Sequence, residues 1–404
     1  MMKILKMIGL ILLSCMAIIG YHLYVYKDDL KAIMFIKSST QKGINISKLS
    51  ALPMPKSDLV KAVKNRFYWR WMDTFTSLDR HHNGWVMSVS WSSDGSMIAT
   101  GSNGGGLRII DIKNGKTVQQ ILHDDVVMAV AWSPNGNMIA ADSNKSKSIK
   151  IIDAKTGAIV KEIPRAGWVQ SLSWSPNSTM FATGSSDNNV KIINSKTGSV
   201  IQEIPYPGKG VASVAWSPDG TRIATGTYHD RLLIIIDVKT GTIIQQIPHR
   251  SRIDALAWSP NGTMIATGSY DKNLRIVHID SGRIIQEIPH NALVKSVAWN
   301  PNGTMIATGS GDNNLRIIDL KDGKIVKLLP SVGWVMSVAW RPDGSMIATG
   351  SADNSLRIYL LPKLSDDHLL ARAQLHYLKQ LDIHDEKLAQ ELELELKRNK
   401  SSYV

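Results

Sequence analysis

From Val86 to Leu361 one unit is written seven times, and this period constrains the fold more than any other feature of the chain. Each copy carries a phrase close to V-x-S-V-A-W-S-P-(D/N)-G-x-M-I-A-T-G-S, followed by one close to D-N-x-L-R-I-I-D-x-K-T-G-x-I-I-Q-E-I-P. Anchor tryptophans fall at Trp91, Trp132, Trp174, Trp216, Trp258, Trp299 and Trp340, spaced 41, 42, 42, 42, 41 and 41 residues apart. So regular a period marks a repeat architecture, in which each unit buries its apolar faces against its neighbours. Within a unit, short segments rich in Ile, Val, Thr and Trp read as strands. Between them stand Pro-Asp-Gly or Pro-Asn-Gly, Ser-x-Asp-Asn and Lys-Thr-Gly, where proline presets φ and glycine supplies the positive φ that tight hairpins need. Four strands per unit make one antiparallel blade, and no repeat carries a helical period.

These phrases resemble the WD-repeat β-propeller family. The likeness rests on V-x-S-V-A-W-S-P-D-G, on the A-T-G-S after it, and on the Asp between the second and third strands: Asp187, Asp230, Asp271, Asp312 and Asp353. It implies an all-β, seven-bladed β-propeller over residues 66–361. Two departures stand out. The family's namesake Trp-Asp is Ile-Asp at Ile110-Asp111, Ile152-Asp153, Ile236-Asp237 and Ile318-Asp319, and the Gly-His dipeptide is reduced to isolated His82, His123, His249 and His290. The hydrogen-bond network that the family builds from that His, the loop Asp and the Trp is therefore expected to be degraded, with apolar stacking between blades in its place.

The seventh copy stops after its third strand, at Leu361, which leaves one blade a strand short. Residues Phe67 to Leu78 (FYWRWMDTFTSL) have strand composition and directly precede the first copy. Pairing them with the last blade closes the ring and removes a free edge.

Outside the repeats the chain changes character. Met7 to Tyr26 is a run of 20 residues without Asp, Glu, Lys or Arg, with Tyr21, Tyr24 and Tyr26 at one end. About 20 apolar residues span a hydrocarbon core, and aromatic rings favour its boundary. Residues 1–26 are therefore expected to be an uncleaved transmembrane helix, placing the protein at a membrane as a single-pass, N-terminally anchored chain. Leu12-Leu13-Ser14-Cys15 also resembles a lipoprotein signal, and a buried helix is the third reading. Lysines flank both sides of the run, so the membrane face that carries the propeller stays open. Residues 27–65 read as a basic linker. Residues 362–404, with Leu370, Ala373, Tyr377, Leu378 and Leu381 at helical spacing, read as a short helical tail.

The net charge of +13 is spread along the chain rather than gathered into a stripe. Aromatics interleaved with Lys and Arg are not evident, so nucleic acid ranks last among partner classes. Cys15 is the single cysteine, which excludes an internal disulfide and a cysteine zinc site. The chain has no phosphate loop with a following Lys-Ser/Thr, no HExxH and no nucleophile elbow. The loop aspartates recur once per copy, as structural residues do, and no cofactor or catalytic residue is assigned.

Specificity in a repeat protein sits where the copies disagree. Six places before each anchor the residues are Trp85, Val126, Trp168, Gly210, Arg252, Leu293 and Trp334; four places before it they are Met87, Met128, Gln170, Ala212, Asp254, Lys295 and Met336. The resemblance puts these positions on one rim of the propeller. Trp334, Met336, Trp85, Met87, Met128 and Trp168 then form a contiguous arc over blades seven, one, two and three, opposite Lys209, Arg250, Arg252 and Lys295. Large apolar area with adaptable methionine is what a protein-binding hot spot uses. In the other reading each tryptophan folds over its neighbouring blade and seals the core. The expected function is a membrane-tethered interaction scaffold for a protein or peptide. The alternative is a small-molecule or glycan binder, or an enzyme, that uses the central channel, with Asp254 and Lys295 converging inward.

Overall fold

The computed structural model describes residues 78–121, 126–143, 147–205 and 210–361. The expected anchor, linker and helical tail lie outside them, and among the described residues no helix is long and apolar enough to cross a membrane. What is described is all β. After a short strand β1 (Leu78–His81), blade 1 comprises β2–β5 (86–121), blade 2 β6–β9 (127–164) and blade 3 β10–β13 (169–205). Blade 4 is β14–β17 (211–248), blade 5 β18–β21 (253–289), blade 6 β22–β25 (294–330) and blade 7 β26–β28 (335–360). Each of the first six is a four-stranded antiparallel meander, while the seventh sheet has the order β1-β28-β27-β26.

The ring is thus closed by a strand from the amino-terminal side of the repeats, paired in the register Leu78 to Ile358 and His81 to Ser355. The closing strand is Leu78–His81, however, and shares only Leu78 with the Phe67–Leu78 segment; residues 67–77 are not among those described. The reason is spacing. His81 stops at the same offset before Val86 as Pro248 does before Ile253, so the repeat period sets the strand's position and the aromatic richness of the preceding segment does not.

First strands adjoin around the whole ring, including β26 (Val335–Trp340) against β2 (Val86–Trp91), and so line its axis. Apolar cores lie between blades. Ala99, Leu107 and Ile109 of blade 1 pack on Val127, Val130, Trp132 and Ile139 of blade 2, and Val86, Val89 and Trp91 pack on Ala348, Leu356 and Ile358 across the seam. The glycine of A-T-G-S is explained by this closeness: a Cβ on Gly101 would lie 2.7 Å from Val127 Cγ1. Ile110, Ile152, Ile236 and Ile318, which stand where the family has tryptophan, are all buried in these cores.

The polar network is better preserved than the sequence implies. His82, His249 and His290 hydrogen-bond Thr100, Thr267 and Thr308 through Nε2 at 2.8, 2.9 and 2.9 Å. Arginines on the third strands take over the loop aspartates: Arg275 to Asp271, Arg316 to Asp312 and Arg357 to Asp353, at 2.7, 2.6 and 2.7 Å. Among the described residues only blade 6, with Ile318, combines such a pair with Ile-Asp; Ile110, Ile152 and Ile236 are accommodated by burial in the cores between blades.

The residue before each anchor decides how the next blade is tied on. Where it is alanine, the following indole donates to its carbonyl, as Trp258 does to Ala215 at 3.1 Å and Trp91 to Ala339 at 3.1 Å. Where it is serine, Ser90 and Ser173 instead accept the next anchor's backbone N–H, from Trp132 and Trp216, at 2.9 and 3.0 Å.

Candidate functional site

The two ends of the ring differ in what they can present. At one end the turn joining first and second strands meets the turn joining third and fourth, as in the Ile112 N–H to Ser96 carbonyl bond of 3.0 Å. At the other end the connection into each first strand is held by the turn between second and third strands. The N–H groups of Asn103, Ser186 and Ala352 donate to the carbonyls of Trp85, Trp168 and Trp334, at 2.8, 2.9 and 2.9 Å. A glycine precedes each of these tryptophans and lets the two backbones touch. Side chains at Gly167 and Gly333 would place Cβ 2.6 and 2.7 Å from the amide nitrogens of Asp187 and Asp353. With its carbonyl pinned and its neighbour reduced to glycine, each indole is directed outward. Trp85, Trp168 and Trp334 are 46%, 61% and 44% exposed, while the anchor tryptophans beneath them are buried. The structure does not fold them down as core seals.

The position four before the anchor has a backbone reason to vary. In every blade the ladder between first and second strands skips that residue: Val86 pairs with Ser102 and Ser88 with Gly101, so Met87 is a β-bulge. Met128, Gln170, Ala212, Asp254, Lys295 and Met336 are bulge residues in the same way. A bulge leaves its residue out of the ladder and re-aims its side chain. These positions are therefore outside the ladder register that holds their neighbours constant. Met87, Met128 and Met336 are half-buried at this end of the ring.

The opposite half of the same end is polar and linked across blades. Asp254 (7% side-chain exposure) lies 2.9 Å from Arg252 Nε through Oδ1 and 3.1 Å from Lys295 Nζ through Oδ2. The Arg252 guanidinium lies 4.4 Å from the Tyr270 ring centre and 5.2 Å from that of Tyr228, within cation–π range. Tyr228 in turn donates its hydroxyl to Gln170 Oε1 of blade 3, and burial raises its pKa. Arg250 is highly exposed and pairs with Glu287 at 3.6 Å; Lys209 is not among the described residues. Comparing first strands alone misses Tyr228 and Tyr270. Their signal lies in the turn after A-T-G-S/T, where the other copies carry Asn103, Asn144, Ser186, Gly311 and Ala352.

Blade 2 is the exception behind this face. Where the other copies carry Thr and Gly it carries Ala141 and Asp142, and where four of them carry His it carries Arg165. Asp142 and Arg165 form a buried ion pair, and Arg165 also donates to the Gly167 carbonyl, beside Trp168. Burial pushes Asp142 up to about 7, against the pull of the Arg165 charge.

Among the described residues no three His, Cys, Asp or Glu side chains are grouped to hold a metal ion. The loop aspartates Asp271, Asp312 and Asp353 are each engaged by an arginine, which is a structural task.

Comparison with known proteins agrees with this architecture. The family model for the WD domain, G-beta repeat, matches seven times, over residues 73–111, 115–153, 159–194, 198–237, 241–278, 282–319 and 323–359. No curated protein matches the chain. Propellers of this family are general protein-interaction scaffolds, typically non-catalytic. Seven matched repeats folded as seven blades around one axis place this chain in the WD-repeat β-propeller family.

Proposed function

We propose that this chain is a non-catalytic interaction platform, tethered to a membrane by residues 1–26, which receives a protein or peptide on the rim arc of Trp85, Met87, Met128, Trp168, Trp334 and Met336. The exposure of three tryptophans on blades 7, 1 and 3, with Met128 on blade 2 between the last two, carries the reading. Placing that much indole in water is unfavourable for a monomer, and Trp is the residue type most enriched in binding hot spots. The half-buried methionines between them add soft, adaptable surface. The tether rests on the uncharged run from Met7 to Tyr26.

A second reading, a small ligand held at the channel mouth, draws on the convergence of Arg252, Asp254 and Lys295. Both Asp254 oxygens are already engaged there, so the cluster offers donors and no free carboxylate for catalysis.

Crosslinked capture from detergent-solubilised membranes separates the readings. The platform predicts a protein retained by the wild type and lost by a still-folded Trp85→Ala, Trp168→Ala, Trp334→Ala combination. Identical capture by both would make the tryptophans dispensable and move attention to the channel mouth.

A further inference from the structure

We infer that the polar half of this rim is a carboxylate subsite, and that the partner presents an Asp or Glu beside large apolar residues; the inference rests on the platform reading and names its partner's chemistry. Charge is the first argument. Among the described residues, Arg252 and Lys295 share the single carboxylate of Asp254, leaving one surplus positive charge on side chains 31% and 22% exposed. A half-desolvated cation without a full counter-charge is costly alone and favours an incoming anion. One surplus charge matches one carboxylate and falls short of a phosphate group, which carries about two negative charges.

Geometry is the second argument. The Arg252 guanidinium lies over both the Tyr270 and the Tyr228 rings, with Asp254 at its Nε edge. Five N–H donors in a fixed plane match a carboxylate, and those not directed at Asp254 are oriented before binding, which lowers the entropic cost of using them. Lys295 supplies two further donors beyond its bond to Asp254.

Continuity is the third. Gln170, which receives the Tyr228 hydroxyl, is two residues from Trp168, and Lys295 on blade 6 adjoins the blade of Trp334 and Met336. The subsite therefore joins the apolar arc at both ends. A segment crossing this face sets large apolar side chains on tryptophan and methionine and one acidic side chain over Arg252 and Lys295.

The test begins with random peptides displayed on phage and panned on the solubilised full-length protein. Selected peptides are expected to combine large apolar residues with at least one Asp or Glu. One such peptide and its Glu→Gln (or Asp→Asn) analogue are then titrated on wild type, Arg252→Met and Lys295→Met. Each variant removes the surplus charge while leaving Asp254 one cationic partner. The amide analogue should bind wild type about 10-fold more weakly, and this difference should shrink to near unity on both variants. If either variant fails to fold, the ratio of the two peptides on wild type at low and high salt still decides, since only the acidic peptide should weaken steeply. Selected peptides that are apolar but carry no acid, or an acid whose amide costs the same on all three proteins, overturn the subsite and leave the platform intact. No enrichment over the triple tryptophan variant overturns both.

Discussion

His290 shows how a single buried side chain sets the protein's acid limit. Its ring is buried, bonded to Thr308 and to the Ile288 carbonyl, and burial together with the Arg316 charge pushes its pKa from 6.5 down to about 4. A group whose folded pKa is depressed contributes stability that is complete above 6.5 and is lost as pH falls towards 4; here the amount is about 3 kcal/mol. His249 is shifted the same way by burial. Asp312, held near 2 by Arg316 and Asn314, adds its own loss only below 3.8. Thermal melts between pH 7 and pH 4 should fall, and His290→Gln should flatten that slope. An unchanged slope would mean that the ring is not kept neutral by its site.

Blade 2 carries the instructive exception at the scale of an element. Asp142 stands where the other copies have glycine, and Arg165 stands where His249 and His290 stand in their blades; together they form a buried ion pair. Breaking such a pair from one side strands a buried charge, which costs about 3 to 5 kcal/mol. Arg165→Ala should therefore lower the melt strongly above pH 7 and far less at pH 5, because Asp142, already raised to about 7 by burial, accepts a proton there. Replacing both members together, Asp142→Gly with Arg165→His, should cost little, because the new histidine has Thr183 at the spacing that joins His249 to Thr267. Asp142 also acts against His290: its raised pKa makes the folded state gain stability as pH falls from 7 to 3.8, so the His290 slope is cleanest with Asp142→Asn as background. The strands, turns and blade count were legible in the sequence because each is local chemistry repeated seven times. The bulges were not, since a skipped ladder residue leaves no compositional mark and showed only as positions where the copies disagree. The glycines before Trp85, Trp168 and Trp334 and the pair Tyr228 and Tyr270 were missed because their meaning comes from a neighbouring turn.

At the scale of the whole molecule, closure and recognition are separate consequences of the repeat. Closure depends on four residues from one end of the chain completing the blade at the other. Deleting residues 1–81 should lower the melting temperature and raise amide exchange in β28 (Ser355–Leu360) above that of other blades; unaltered exchange there would mean that the ring does not need β1. Recognition depends on exposed side chains that closure does not use. The most direct measurement pairs a thermal melt of Trp168→Ala with its affinity for the protein or peptide bound by the wild type. The account predicts a loss of about 2 kcal/mol or more in binding with an almost unchanged melt. A large drop in melting temperature with binding intact would contradict it, and would make Trp168 part of the scaffold.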